Sequence, residues 1–185
     1  MAAEFAAAVT GWVALPIAIA KFQIRGREPF LAANCAVAFA MSLHYALMAG
    51  WSGFAITATT VVASGVQAAF GRKVSRLLRF VVAVLATSVA WGFSWEGWAS
   101  LLPLTAFMIG RFSEALVDDF RMRVALLPTH VVWLGYAASI GSLPVAVMEV
   151  VTLASNGVGL WRHYPERLAG NRGPARAAPG GTRTR

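Results

Sequence analysis

The sixteen Lys and Arg residues of this chain sort into alternate gaps between its apolar stretches, with Arg111 one residue inside the end of the fifth. A bilayer leaves inserted Lys and Arg on the cytoplasmic side, so one-sided sorting of this kind points to a polytopic membrane protein of fixed orientation. The apolar stretches run Phe5 to Ala20, Phe30 to Ala49, Ser52 to Phe70, Phe80 to Phe93, Trp98 to Phe112, Val124 to Ile140 and Leu143 to Trp161. A spanning helix takes about 17–25 residues at about 1.5 Å each, which leaves the fourth and fifth short. Charge then decides the count. Lys21, Arg25 and Arg27 follow the first stretch; Arg72, Lys73, Arg76 and Arg79 the third; Arg111, Arg121 and Arg123 cluster at the fifth; Arg162 and every later Arg follow the seventh. The intervening gaps hold Glu96 and no base. Seven spans, N-terminus outside and C-terminus cytoplasmic, satisfy the positive-inside rule at every loop, and six do not.

With 58% hydrophobic and 13% charged residues, the 185-residue chain has too much apolar surface for a soluble domain. The net charge of +8 is dealt out in small loop clusters rather than along one face. That distribution suits anionic lipids at the cytoplasmic surface and not nucleic acid. Cys35 is alone, which excludes a disulfide framework and a cysteine metal site, and no cofactor is expected. Glu4 stands where a signal peptide has bases, so the first stretch reads as an uncleaved helix in a cell inner membrane. Residues 1–164 form the membrane domain. Residues 165–185, rich in Gly, Pro, Ala and Arg, read as a disordered basic cytoplasmic tail.

Sliding the second and third stretches by 91 positions onto the sixth and seventh pairs Leu43 with Leu134, Tyr45 with Tyr136, Ala46 with Ala137, Gly50 with Gly141, Ala55 with Ala146, Ala63 with Ala154 and Ser64 with Ser155. Spans one to three and five to seven both start outside, because the fourth resets the orientation. The expected fold is therefore an all-α, polytopic helix bundle: two parallel three-helix units joined by a linker helix. Leu15-Pro16 and Leu102-Pro103 recur in the first helix of each unit, with Pro128 in span six, as candidate kinks or hinges.

Several motifs resemble the YgjV-type bacterial inner-membrane proteins, a family similar in plan to the SWEET and PQ-loop transporters. They are His44-Tyr45 before the turn at Gly50, Leu101-Leu102-Pro103, Met122-Arg123, Ser139-Ile140-Gly141, and Glu149 … Asn156-Gly157 … Arg162. The chain departs from the pattern at Thr60 and Ala63 and has no Pro-Gln dipeptide. The resemblance implies fold and membrane location, and in SWEET-like proteins the third and seventh helices supply the polar centre of a substrate site. Asn156 looks like the residue in that role, with Thr60 or Ser64 as its partner.

Glu149 stands out because a carboxylate within a membrane helix costs about 2.5–3.5 kcal/mol on insertion scales. It is a candidate proton carrier or ligand contact. Glu149, Thr152 and Asn156 share one helix face, and Thr57, Thr60, Ser64 and Gln67 form a matching stripe in span three. Ser and Thr also join membrane helices with no ligand present. His44 and His130, in corresponding spans, are candidate relay partners of Glu149. Trp91, Trp95 and Trp98 read as an interfacial belt. Asp118 and Asp119 are spaced to pair with Arg121 and Arg123 rather than to bind metal. The expected function is non-enzymatic: transport of a small polar solute by alternating access, with Asn156, Thr152, Thr60 and Ser64 binding it and Glu149, His130 and His44 coupling protons. The rival is a non-transporting scaffold or regulatory protein, and the sequence leaves room for a homo-oligomer.

Overall fold

The computed structural model describes residues 2–70, 75–116 and 118–169, and within them the chain is helical with no strand. The helices are α1 (Ala2–Gln23), α2 (Arg27–Leu47), α3 (Trp51–Phe70), α4 (Arg76–Phe93), α5 (Leu101–Ala115), α6 (Asp119–Ser139), α7 (Leu143–His163) and the short α8 (Pro165–Leu168). A 3-10 turn, Trp98–Ser100, leads into α5. Three helical segments are long and apolar enough to cross a membrane: Glu4–Gln23, Arg27–Leu47 and Leu143–His163. Phe80–Phe93 is a shorter apolar helix.

Helix ends follow local chemistry. The Ser75 hydroxyl accepts from the Leu78 N–H at 3.2 Å, and Asp118 Oδ1 accepts from the Arg121 N–H at 2.9 Å. Pro144 sits in the first turn of α7, where a missing N–H costs nothing. Pro16 and Pro128 lie inside α1 and α6, whereas Pro103 lies in the first turn of α5. Pro103 is therefore a helix starter and not the kink expected from the Leu-Pro recurrence.

Six helices close a ring in the order α1, α2, α3, α5, α6, α7, and α4 lies outside against α3 and α5. The basic end of the ring gathers the C-termini of α1, α3, α5 and α7; the other end carries the tryptophan turn between α4 and α5. Polarity is reversed relative to a soluble bundle. Phe39, Val62, Leu85, Val131 and Val150 point outward, while Lys21, Arg111, Glu114, Arg123, His130 and Glu149 are buried. Lys21, Arg111 and Arg123 therefore belong to helix ends and turn inward, where the sequence reading placed them with the loop bases. Glu114, beyond the fifth apolar stretch, lies within α5 as a second buried carboxylate beside Glu149.

The two halves repeat with a register of 92, one more than the sequence identities suggest. α2 and α6 begin at Arg27 and Asp119, and α3 and α7 at Trp51 and Leu143. The intervening turns share one backbone geometry: Gly50 N–H donates to Tyr45 O at 2.9 Å and Ser142 N–H to Ala137 O at 2.9 Å. The left-handed residue is Ala49 (φ 55°) in the first turn and Gly141 (φ 68°) in the second. Backbone turns set this register, whereas identities among abundant Ala residues can match one step out. In it Thr57, Thr60 and Ser64 correspond to Glu149, Thr152 and Asn156.

The expected disordered tail begins instead with the helical turn α8; its remainder, residues 170–185, lies outside the described residues, as do Arg72 and Lys73.

The tightest helix approach is at Gly159, where an added Cβ would lie 2.4 Å from Phe22 O and 3.3 Å from Arg123 Nη1, while at Gly157 it would meet nothing within 4 Å. Gly159→Ala should destabilise the protein by about 1–3 kcal/mol through overpacking. Gly157→Ala should be near neutral. Thermal unfolding of both variants in one detergent checks the contrast.

Candidate functional site

The ring encloses a central cavity of about 110 Å³ to which all six ring helices contribute and α4 does not. Its ionisable lining consists of Lys21 from α1, Arg111 and Glu114 from α5, His130 from α6 and Glu149 from α7, joined by Tyr45 from α2. Asn34 and Thr60 add polar atoms, and Phe107 and Trp133 supply apolar walls.

Glu114 organises one side. Arg111 Nη2 donates to its Oε1 at 2.7 Å, Asn34 Nδ2 to the same oxygen at 3.3 Å, and Gln67 Nε2 to Oε2 at 3.4 Å. Arg27 Nη2 reaches Gln67 Oε1 and the Glu114 backbone carbonyl, each at 2.9 Å. Lys21 Nζ donates to Asn34 Oδ1 at 2.9 Å. This network joins α1, α2, α3 and α5. A buried carboxylate is tolerable only with such compensation, because its desolvation costs several kcal/mol by order of magnitude.

On the opposite side His130 Nδ1 lies 2.7 Å from Glu149 Oε2, so the ring N–H donates to the carboxylate. His130 Nε2 is buried with no hydrogen-bond partner among the described residues.

Polar ties hold the helices at both ends of the cavity. At the tryptophan end His44 Nδ1 donates to Ala7 O at 2.7 Å, which leaves Nε2 to accept from the Ser142 hydroxyl at 2.8 Å. Tyr136 Oη accepts from the Gly53 N–H at 3.1 Å, and Glu96 Oε2 accepts from the Ser52 N–H at 3.0 Å, pinning the tryptophan turn to the start of α3. Trp91 and Trp95 meet edge to face with centroids 5.0 Å apart, and Trp91 Nε1 donates to Ser100 O at 2.6 Å.

At the basic end the fully buried Arg123 donates to Phe22 O at 2.6 Å and Ile24 O at 2.5 Å, capping the last carbonyls of α1. Its Nε lies 3.3 Å from Asp119 Oδ2, which also accepts from the Tyr164 hydroxyl. Partial burial and the Asp119 carboxylate push the Tyr164 phenol up to about 12. Burial opposes ionisation of Asp118, but the Arg121 N–H and the Arg167 guanidinium outweigh it and hold its carboxyl below the usual range. Asp118 therefore caps α6 and binds Arg167, rather than pairing with the Arg121 side chain.

The residues singled out in the sequence separate into three places. Glu149, His130 and Thr60 line the cavity. Ser64 is buried beside it, accepting from Asn34 Nδ2 at 3.3 Å and Arg111 Nη2 at 3.4 Å. Asn156 and Thr152 are buried outside the cavity lining, and Asn156 Nδ2 donates to Arg123 O at 2.9 Å. Asn156 thus meets α6, not the span-three stripe it was expected to face. His44 is a bolt between α1, α2 and α7 and does not line the cavity with Glu149. Sequence reasoning passed over Lys21, Asn34, Arg111 and Glu114; the available signal was a lone amide within the second apolar stretch and an Arg and Glu three residues apart at the end of the fifth.

Replacing Glu149 with Ala would leave the His130 N–H without an acceptor, a loss of about 1–3 kcal/mol. Glu149→Gln keeps an acceptor and should cost less. Denaturant unfolding in micelles reads the difference.

No curated protein and no solved structure matches this chain. A family model described as a bacterial inner membrane protein, Imp-YgjV, matches residues 5–167, which takes in nearly all of α1 and every later helix through α7. The apolar exterior, the inward charges and this match agree, and the chain belongs to the Imp-YgjV family of bacterial inner membrane proteins.

Proposed function

We propose that the chain crosses the inner membrane seven times in a SWEET-like plan and moves a small polar solute through the central cavity by alternating access. The tryptophan turn faces outside and the basic end faces the cytoplasm, in keeping with the positive-inside rule. The observation that carries the reading is the cavity itself: six helices from two repeated units surround a space lined by ionisable side chains, with polar ties at either end. Substrate sites of inverted- or parallel-repeat transporters lie at such repeat interfaces. The His44 and Tyr136 ties serve as the outer gate and the Arg123 and Asn156 ties as the inner one. Thr60 contacts solute directly, while Ser64, Thr152 and Asn156 support the walls. Glu149 and His130 carry the coupled proton.

One observation favours the rival scaffold reading. The hydroxyls of Thr57, Thr59 and Thr60 donate to carbonyls of their own helix, at 2.8 to 3.0 Å, and are partly spent before any solute arrives.

Reconstitution into liposomes under an imposed pH gradient separates the two. Wild type should accumulate a solute against its concentration, and Glu149→Gln should lose accumulation while retaining solute exchange. A wild type that moves no solute of any charge class leaves the scaffold reading. Topology is checked in a cysteine-free background: labels at Ala49, Trp98 and Gly141 should react from outside, and a label at Glu166 only after permeabilisation. A cytoplasmic Trp98 would remove the fourth span.

A further inference from the structure

We infer that the central cavity binds a small monovalent anion of the monocarboxylate class, held by Arg111 and Lys21. The inference rests on the reading of this cavity as a solute site and names the solute's charge. Its basis is the imbalance between donors and acceptors in the lining. Both carboxylates are engaged: Glu114 by Arg111, Asn34 and Gln67, and Glu149 by His130.

The cations are not exhausted. Arg111 is 4% exposed, and its Nε and Nη1 have no hydrogen-bond partner among the described residues. A guanidinium has five N–H donors and cannot shed its charge, so buried nitrogens without acceptors are expensive unless a ligand supplies them. Lys21, 8% exposed, has one hydrogen bond, to Asn34 Oδ1, and its ammonium stands 5.0 Å from the Phe22 ring centroid. No carboxylate lies within ion-pair distance of Lys21 among the described residues.

What the Arg111 guanidinium lacks is an acceptor for its Nε and Nη1, and a carboxylate brings several with one negative charge. Planar guanidinium and planar carboxylate also match in geometry. The cavity, of about 110 Å³, is small and suits a compact solute. The Phe107 and Trp133 rings in the lining supply apolar surface for a short alkyl group beside the carboxylate.

The test is thermal stability of the purified full chain in detergent, at ionic strength fixed with sodium sulfate, against acetate, propionate, chloride, acetamide and methylammonium. Acetate and propionate should stabilise saturably, and acetamide and methylammonium should not. Lys21→Gln, and the charge-balanced pair Arg111→Gln with Glu114→Gln, should each weaken the apparent acetate affinity by about tenfold or more. Acetamide matching acetate, chloride acting alone, or either variant binding acetate like wild type would overturn the inference. If neither variant purifies, the wild-type comparison of acetate with acetamide decides. Stabilisation by a neutral or cationic solute with none by anions removes the anion assignment and leaves the transport reading standing; no response to any solute removes both.

Discussion

The constraint on which the rest of this structure depends is the cost of charge in an apolar surround. The outward faces of the ring are Phe, Val and Leu, so every ionisable group within the helices must find its partners inward or at the ends. Glu114 meets that demand with donors from α2, α3 and α5, and Lys21 ties α1 into the same group through Asn34. Removing one member would strand the others, which makes the network a positional lock as much as a charge store.

The repeat makes the cavity asymmetric. In the 92-residue register the hydroxyls of Thr57, Thr60 and Ser64 stand where the second unit has Glu149, Thr152 and Asn156. Arg111 and Glu114 correspond to Ile19 and Phe22, and His130 to Ala38. Backbone geometry is conserved between halves, down to the hydrogen bonds of the two turns, while chemistry is not. Arg111, Glu114 and His130 thus have apolar counterparts across the pseudo-axis, while the hydroxyls of α3 have polar ones.

Both ends of the ring are held by side chains that satisfy backbone groups. Arg123 caps two carbonyls of α1, and His44 spans from Ala7 O to Ser142. Movement of α1 against α6 and α7 must break the first set, and movement against α2 and α7 the second. Each such bond has a net value of about 0.5–1.5 kcal/mol, or about 1.5–3 kcal/mol where the donor is charged, as at Arg123.

The helices themselves were legible from the alternation of apolar stretches and bases, because desolvation forces that pattern on any chain whose backbone must satisfy itself in lipid. Glu149 and His130 were legible for the same reason: each interrupts an apolar run at a cost that needs a partner. Lys21, Arg111 and Arg123 were read as rim charges, since a linear sequence does not reveal whether a long side chain at a helix end turns toward water or toward the axis. The repeat was visible but one residue out, because turn geometry and not residue identity sets its register. Which polar residues share a cavity was decided only by tertiary structure: Asn156 and Thr60 lie on matching stripes in sequence, yet helix rotation within the ring sends one to the Arg123 carbonyl and the other to the cavity wall. Sequence determined that Glu149 and His130, set within apolar runs, needed inward partners; packing of six helices decided which of the remaining charges turn inward and meet.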